Sequence, residues 1–271
     1  ASLAGKLYRL KEGEGTPTDV SRTSASAAAD YDLAGAIEDS IITQDATTWS
    51  LAAWGSDQVI ATDGVHPVQL YTTGSGKFQD FDIQAAATTG VPTTAEIVAR
   101  LQQFALLFST DAGKTVVEWS DEDDIIGASA WSDYTNKACG NLVLHEMNSP
   151  ITCAKSSADG IWVYGTDQLF LVYYVGPPFY FGYRQLLDNI GAVGKNAVVS
   201  VGREQYGVSQ RGLFVTDGTQ VQYIDEPTIR DYLFQQGNAA ETYMNKEQLS
   251  KVFVWHDPTQ STINVFYPKG T

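Results

Sequence analysis

The sequence predicts an all-β protein, a β-propeller-like array of antiparallel hairpins. Three observations carry this reading. Short runs of β-branched and aromatic residues recur along most of the chain, each bounded by Gly, Pro, Asp or Ser turns. The second strands of successive hairpins begin near Gln58, Lys114, Gln168, Gly212 and Thr262, a spacing of about fifty residues that matches a propeller blade of three or four strands. Helical patterning is confined to two short stretches, 227–236 and 239–248. A β-sandwich, the competing all-β architecture, shows regular short strands without a long period, so the repeat favours the propeller.

In chain order, a strand over 6–10 leads into KEGEGTPTDVSRTSASAAAD, whose Gly, Ser, Thr and Ala mark 11–48 as a loop-rich segment. Strands are predicted over 49–54, 58–62 and 67–71, separated by Gly55-Ser56-Asp57 and Asp63-Gly64. An Ala/Thr-rich connection over 80–98 follows. Strands at 99–108 and 114–120 then bracket a turn at Ser109-Thr110-Asp111-Ala112-Gly113 and run into the acidic cluster Asp121-Glu122-Asp123-Asp124.

The chain is organised around a central meander of strands at 161–164, 168–175 and 179–184, broken by Gly165-Thr166-Asp167 and Gly176-Pro177-Pro178. The run at 168–175 is almost continuously apolar, which predicts a strand covered on both faces in the middle of a sheet. Four more strands are expected at 197–201, 205–209, 212–216 and 220–224, and a last pair at 251–255 and 262–267. That pair is half a blade, so the expectation is a chain cut short or a last sheet completed by the N-terminal strand. Residues 1–271 together read as one platform domain of propeller type. Its expected core is Trp54, Phe104, Trp119, Trp162, Phe170, Val172, Phe214 and Trp255.

Composition narrows function. The 271 residues hold 17 Lys and Arg against 32 Asp and Glu, a net charge of −15, which argues against a protein that grips phosphate backbones. The longest apolar run, 169–175, falls far short of the roughly 20 residues of a membrane helix, so no membrane span is predicted. The N-terminal ASLAGKLYRLKEG lacks the basic, apolar and small-residue progression of a signal peptide. Cys139 and Cys153 have no companions at zinc-ligand spacing and read as buried or partly buried thiols. His66, His145 and His256 belong to no nucleophile or metal motif and read as structural.

One turn has a recognisable form. Residues 109–115, STDAGKT, resemble the Asp box of sialidase-type propellers, in which the Asp side chain bonds local backbone N–H groups and the Gly is left-handed. Such a turn stabilises a hairpin and performs no chemistry, but it supports an alternative reading as a carbohydrate-binding or glycoside-cleaving propeller. The acidic run SDEDDIIGAS lacks the interleaved oxygens and glycines of a calcium loop. No nucleotide fingerprint, nucleophile elbow or zinc-protease motif occurs, so neither enzymatic activity nor a cofactor is expected.

Taken in order, LYRL, DVSR, WSLAAWGSDQVIATDG, VEWSD, the stretch 161–193 and RGLFVTDGTQVQYID resemble structural tail proteins of tailed bacteriophages. The nearest group is the tail nozzle or tail hub proteins of short-tailed phages. This resemblance implies a virion protein of the tail, assembled in the host cytoplasm, whose propeller platform joins a homo-oligomeric, sixfold ring around the DNA exit path. Implied partners are further copies of the chain, a portal or adaptor ring, tail fibre or needle proteins, and double-stranded DNA passing without specific binding. Nozzle proteins of that group are usually longer, with inserted domains that narrow the tube, whereas the loops here are short. Under this reading Glu118, Asp121, Glu122, Asp123 and Asp124 are candidates for a loop facing the channel or a neighbour. Tyr173, Tyr174, Phe179, Tyr180 and Tyr183 are candidate interface aromatics.

Overall fold

The computed structural model describes residues 48–74, 78–81, 90–224, 227–234 and 243–269, with the backbone of short strands at 2–3, 6–9 and 18–19. The protein is all-β, and its sheets are antiparallel meanders in sequence order. Most of the segment 11–48 and part of the predicted helical stretch 239–248 lie outside the described residues.

The chain divides into two compact units, Ala1–Asp111 with Glu118–Gly140, and Ala112–Val117 with Asn141–Thr271. In the first, β1 (Ser2–Leu3), β2 (Lys6–Arg9) and β3 (Thr18–Asp19) form a three-stranded sheet. Next come β4 (Ser50–Trp54), β5 (Gln58–Thr62), β6 (Gln69–Thr72) and β7 (Gln79–Asp80), a four-stranded sheet in that order. Gly55 takes φ +60° in the turn where Trp54 faces Gln58, the conformation that only glycine adopts without steric cost.

The strand predicted over 99–108 is two strands, β8 (Ala95–Leu101) and β9 (Phe104–Thr110), joined by a two-residue turn with Gln102 at φ +53°. The sequence hides this turn because Gln-Gln carries none of the Gly, Asn or Asp signals that mark a tight reversal. β10 (Gly113–Trp119) and β11 (Gly140–Val143) complete the sheet order β11-β10-β9-β8, and the unit boundary falls within β10. Every residue of β9 is buried, as the interior position of a near-continuous apolar strand demands. Within the first unit Trp54, Ile60, Leu70, Phe81, Leu107 and Trp131 share one apolar cluster.

In the second unit β12 (Cys153–Ser157), β13 (Gly160–Tyr164), β14 (Gln168–Gly176) and β15 (Tyr180–Asp188) form one sheet. β16 (Val198–Val201), β17 (Glu204–Ser209), β18 (Gly212–Thr216) and β19 (Val221–Tyr223) form the next. The central meander therefore has the predicted strands plus β12, which the polar stretch CAKSS concealed. β14 is an interior strand whose two faces both pack, as its apolar run requires. Leu169 and Leu171 join Trp162, Tyr164 and Phe214 in one cluster, while Phe170 and Val172 are fully buried on the opposite face. Full burial of each such side chain contributes about 1.5–3 kcal/mol.

The helix α1 (Pro227–Phe234) forms where the sequence predicts it, with Pro at the first helical position, where its missing N–H costs nothing. Of the described part of the second predicted stretch, 243–245 are not helical and 246–248 open a 3-10 helix at Lys246–Lys251, capped by Asn245, whose side chain accepts from the Glu247 N–H at 2.9 Å. β20 (Phe253–Asp257) and β21 (Thr262–Phe266) close the described chain as a two-stranded sheet. Of the expected core residues, Trp54, Phe104, Trp119, Trp162, Phe170, Val172 and Phe214 are buried, but Trp255 is 46% exposed. The reason is the strand period: Val254 points into a cluster with Ala197, Val208 and Met244, which turns Phe253 and Trp255 outward opposite Phe266 and Asn264.

Candidate functional site

The acidic stretch after β10 is built inward as much as outward. Asp121 and Asp124 pair through the backbone, and their side chains serve as acceptors for the loop that follows. Asp121 Oδ1 accepts from the N–H groups of Glu122 at 3.0 Å and Ala138 at 2.8 Å, and Asp124 Oδ1 from those of Ile126 at 3.0 Å and Gly127 at 2.7 Å. Lys137 Nζ lies 3.2 Å from Asp121 Oδ2 and 3.5 Å from Asp124 Oδ2, offsetting charge that would otherwise repel within the loop. Partial burial works against the Lys137 ammonium, but the Asp121 hydrogen bond and the two carboxylates outweigh it and hold its pKa above the ordinary value.

Two indoles pin the same loop. Trp119 Nε1 donates to the Ala138 carbonyl at 2.8 Å and Trp131 Nε1 to that of Ile125 at 3.0 Å. Gly140 leaves room for this, because a Cβ there would come within 2.6 Å of the Trp119 ring. Of the five acidic candidates, Glu122 and Asp123 are exposed, with Asp123 at φ +55°, while Asp121 and Asp124 are engaged in the loop. Glu118 stands apart on β10 and accepts from Thr110 Oγ1 at 2.6 Å. Burial pushes its carboxyl up and the charge of Asp111 adds to this, against the lowering effect of the Thr110 hydroxyl. Among the described residues no group of three or more His, Cys, Asp or Glu side chains is placed to hold a metal ion.

The Asp-box expectation at 109–115 needs correction. Gly113 is not left-handed; Ser109 is, at φ +56°. The carboxylate of Asp111 accepts from the N–H of Thr93 at 3.3 Å, on the segment leading into β8, and not from its own turn. The spacing is present without the local bonding that defines the motif.

The five aromatic candidates are sorted by the pleat of β14 and β15. Tyr173 packs against the cluster around Trp162 and Phe214. Tyr174 meets Phe181 edge to face, with ring centres 5.8 Å apart, and Tyr183 lies 6.2 Å from Phe170. These three are half-buried, and Tyr180, at φ +56° where the hairpin re-enters β15, is also half-buried. Phe179 is 76% exposed at the hairpin tip, beside Val175 at 48%. The five residues are therefore not one exposed face, because alternate residues of a strand point to opposite sides. Sequence reasoning missed a second exposed aromatic group, Phe253, Trp255 and Phe266 on β20 and β21, with Phe253 and Phe266 6.0 Å apart. The alternation Phe253-Val254-Trp255-His256 is the signal that could have found it.

Both thiols are free and buried. Burial pushes the Cys153 thiol up to about 11, which keeps it protonated and unreactive at neutral pH.

These features define an all-β protein built mainly of sequential four-stranded antiparallel meanders, with exposed aromatics at the β14–β15 hairpin tip and along β20 and β21. No protein-family model and no curated protein matches the chain. Among solved structures it is similar to the extracellular domain of the putative one component system BT4673 from B. thetaiotaomicron, at 15% identity and a TM-score of 0.51 over 86% of this chain and 28% of that one. A structure described as the extracellular domain of the putative hybrid two component system BT4673 aligns at 14% identity and a TM-score of 0.48, over 82% of this chain and 26% of that one. The computationally designed protein Ika4 aligns at 13% identity and a TM-score of 0.38, over 68% of this chain and 95% of that one. The chain thus spans little more than a quarter of the first structure, and the likeness is one of fold alone.

Proposed function

We propose that this chain is a structural subunit of a homo-oligomeric ring, a nozzle or hub in the tail of a short-tailed bacteriophage, and forms part of the wall of the DNA ejection channel. The observation that supports it best is the tip of the β14–β15 hairpin. Phe179 and Val175 are exposed at the tip of a hairpin whose first strand, β14, packs on both faces, so an apolar contact point is carried on an element anchored in the sheet. Apolar side chains presented this way mark protein contacts, and subunits arranged head to tail close into a ring when the contact repeats about an axis. The ordered resemblance along the chain supplies the kind of ring, and the net charge of −15 suits a wall past which phosphates must slide without sticking. The chemistry of the wall would be passive: it repels and guides, and no bond is made or broken.

The test is the mass of the purified chain by native mass spectrometry, together with electron microscopy of the assembled particle. The expected result is a ring in the tail around the DNA path, weakened by Phe179→Asp. A lone monomer inside the particle, or a decoration on the capsid surface away from the DNA, overturns the reading.

A further inference from the structure

The turns at one end of two neighbouring sheets of the second unit enclose a cleft of about 260 Å³. Its walls come from equivalent places in the two meanders. Thr166 and Asp167 form the β13–β14 turn and Asn189 and Gly191 the exit of β15, while Gln210 and Arg211 form the β17–β18 turn and Tyr223 ends β19.

The backbone fixes this end firmly. The Ile190 N–H donates to the Asp167 carbonyl at 3.2 Å and the Ala192 N–H to that of Gly165 at 3.1 Å. Gly191 lies so close to the turn that a Cβ would sit 2.0 Å from the Thr166 carbonyl oxygen. Asn189, left-handed at φ +63°, ties the two sheets together. Its Oδ1 accepts from Arg211 Nη2 at 3.2 Å and its carbonyl from the Tyr223 hydroxyl at 3.1 Å. One guanidinium N–H and the ring hydroxyl are thus each hydrogen-bonded to Asn189.

The polar groups left over are of both signs. Asp167 and Arg211 line the same small cleft, yet among the described residues they make no ion pair with each other. Asp167 offers acceptors only, whereas Arg211 and the amide nitrogen of Asn189 offer donors only. An anion such as phosphate would meet the Asp167 carboxylate, and a simple cation the Arg211 guanidinium. A ligand whose adjacent groups each donate and accept satisfies both walls together. Vicinal hydroxyls do this. The volume is below the 300–1,000 Å³ usual for drug-sized ligands, which limits the occupant to about one sugar ring.

From this geometry we infer that the cleft binds a single hydroxyl-rich saccharide unit, with Asp167 and Arg211 as its contacts and Asn189 as the residue that positions Arg211. The inference is independent of the ring assembly and stands or falls on its own experiment. Methyl α-D-mannoside, methyl β-D-galactoside, N-acetylglucosamine and L-rhamnose are titrated into the labelled chain and followed by amide chemical shifts, with glycine and inorganic phosphate as rival probes. The expected result is saturable millimolar binding of at least one sugar, with the largest shifts at 166–167, 189–191 and 210–211. Asp167→Asn, which keeps the shape of the side chain, and Arg211→Ala each weaken it by about tenfold or more, while Asp159→Ala, in the β12–β13 turn at the other end of the sheet, does not. Unchanged thermal unfolding of the variants confirms that the fold is intact. No saturable shift at about 50 mM sugar, binding unaffected by both cleft variants, or tighter binding of glycine or phosphate than of every sugar overturns the inference.

Discussion

At the scale of single residues, buried polar groups govern stability here because each must find its partner inside the protein. Tyr164 is fully buried, and its hydroxyl donates to Gln205 Oε1 at 2.8 Å, joining β13 to β17. Tyr164→Phe leaves that oxygen unpaired and is expected to cost about 1–3 kcal/mol, read as a lower urea midpoint with an unchanged slope. A loss below about 0.5 kcal/mol would show that the carbonyl finds another donor. Glu118 makes a different prediction. Its folded pKa is raised above the ordinary 4.5, so the folded state holds the proton more tightly than the unfolded one. The resulting stability is fully present below the ordinary carboxylate pKa and is lost as pH rises through the raised value. Glu118→Gln keeps an acceptor for Thr110 and has no proton to lose, so its stability relative to the parent should increase on going from pH 4 to neutrality. Urea unfolding of both proteins across that range checks the sign, and a constant difference would refute it.

At the scale of elements, two rules explain most of what formed and what was hidden. Alternation sorts side chains: it buried Phe170 and Val172, put Tyr173 into the cluster around Trp162, and left Trp255 outside. Turn chemistry sets where strands end, and it was legible at Gly55 and Gly176 but silent at Gln102, where Gln-Gln reverses the chain. The 120–139 loop is the element whose charge misleads most, because half of its acidic run is structural mortar. Asp121→Ala removes the acceptor for the Ala138 N–H and one partner of Lys137. Hydrogen exchange at the Ala138 amide should speed up by about tenfold or more, as expected for a bond to a charged acceptor worth about 1.5–3 kcal/mol. The Val208 amide, bonded to the Ala197 carbonyl in another sheet, should not change. Equal protection in the two proteins would mean that the indole bonds of Trp119 and Trp131 hold the loop unaided.

At the scale of the whole molecule, the period of about fifty residues is the distance between sheets. The sheets of the main array begin at Ser50, Ala95, Cys153, Val198 and Phe253, and four of the five hold four strands. The strand starts that revealed the repeat occupy different places within their sheets. Gln58 opens a second strand, whereas Gln168 and Gly212 open third ones. The period survived this mismatch because each sheet, with its connection, consumes a similar length of chain. Neutralising one acid changes little in a net charge of −15, so the electrostatic side of the proposed channel wall depends on the sum of many residues.

The sequence by itself determined the all-β class, the repeat, the central meander, the burial of seven of the eight expected core residues and the position of α1. These are local properties: strand period, turn residues and helix start signals act over a few positions, and hydrophobic burial follows from them. Only the tertiary structure decided which acids became loop caps, which tyrosines were covered, that the Asp-box spacing would lack its own bonding, and that Asp167, Asn189, Arg211 and Tyr223 would meet around one cleft. Residues 167 and 211 are far apart in the chain and carry no shared motif. They come together because antiparallel meanders return equivalent turns to the same end of each sheet, and distances across neighbouring sheets are set by packing that no local pattern records.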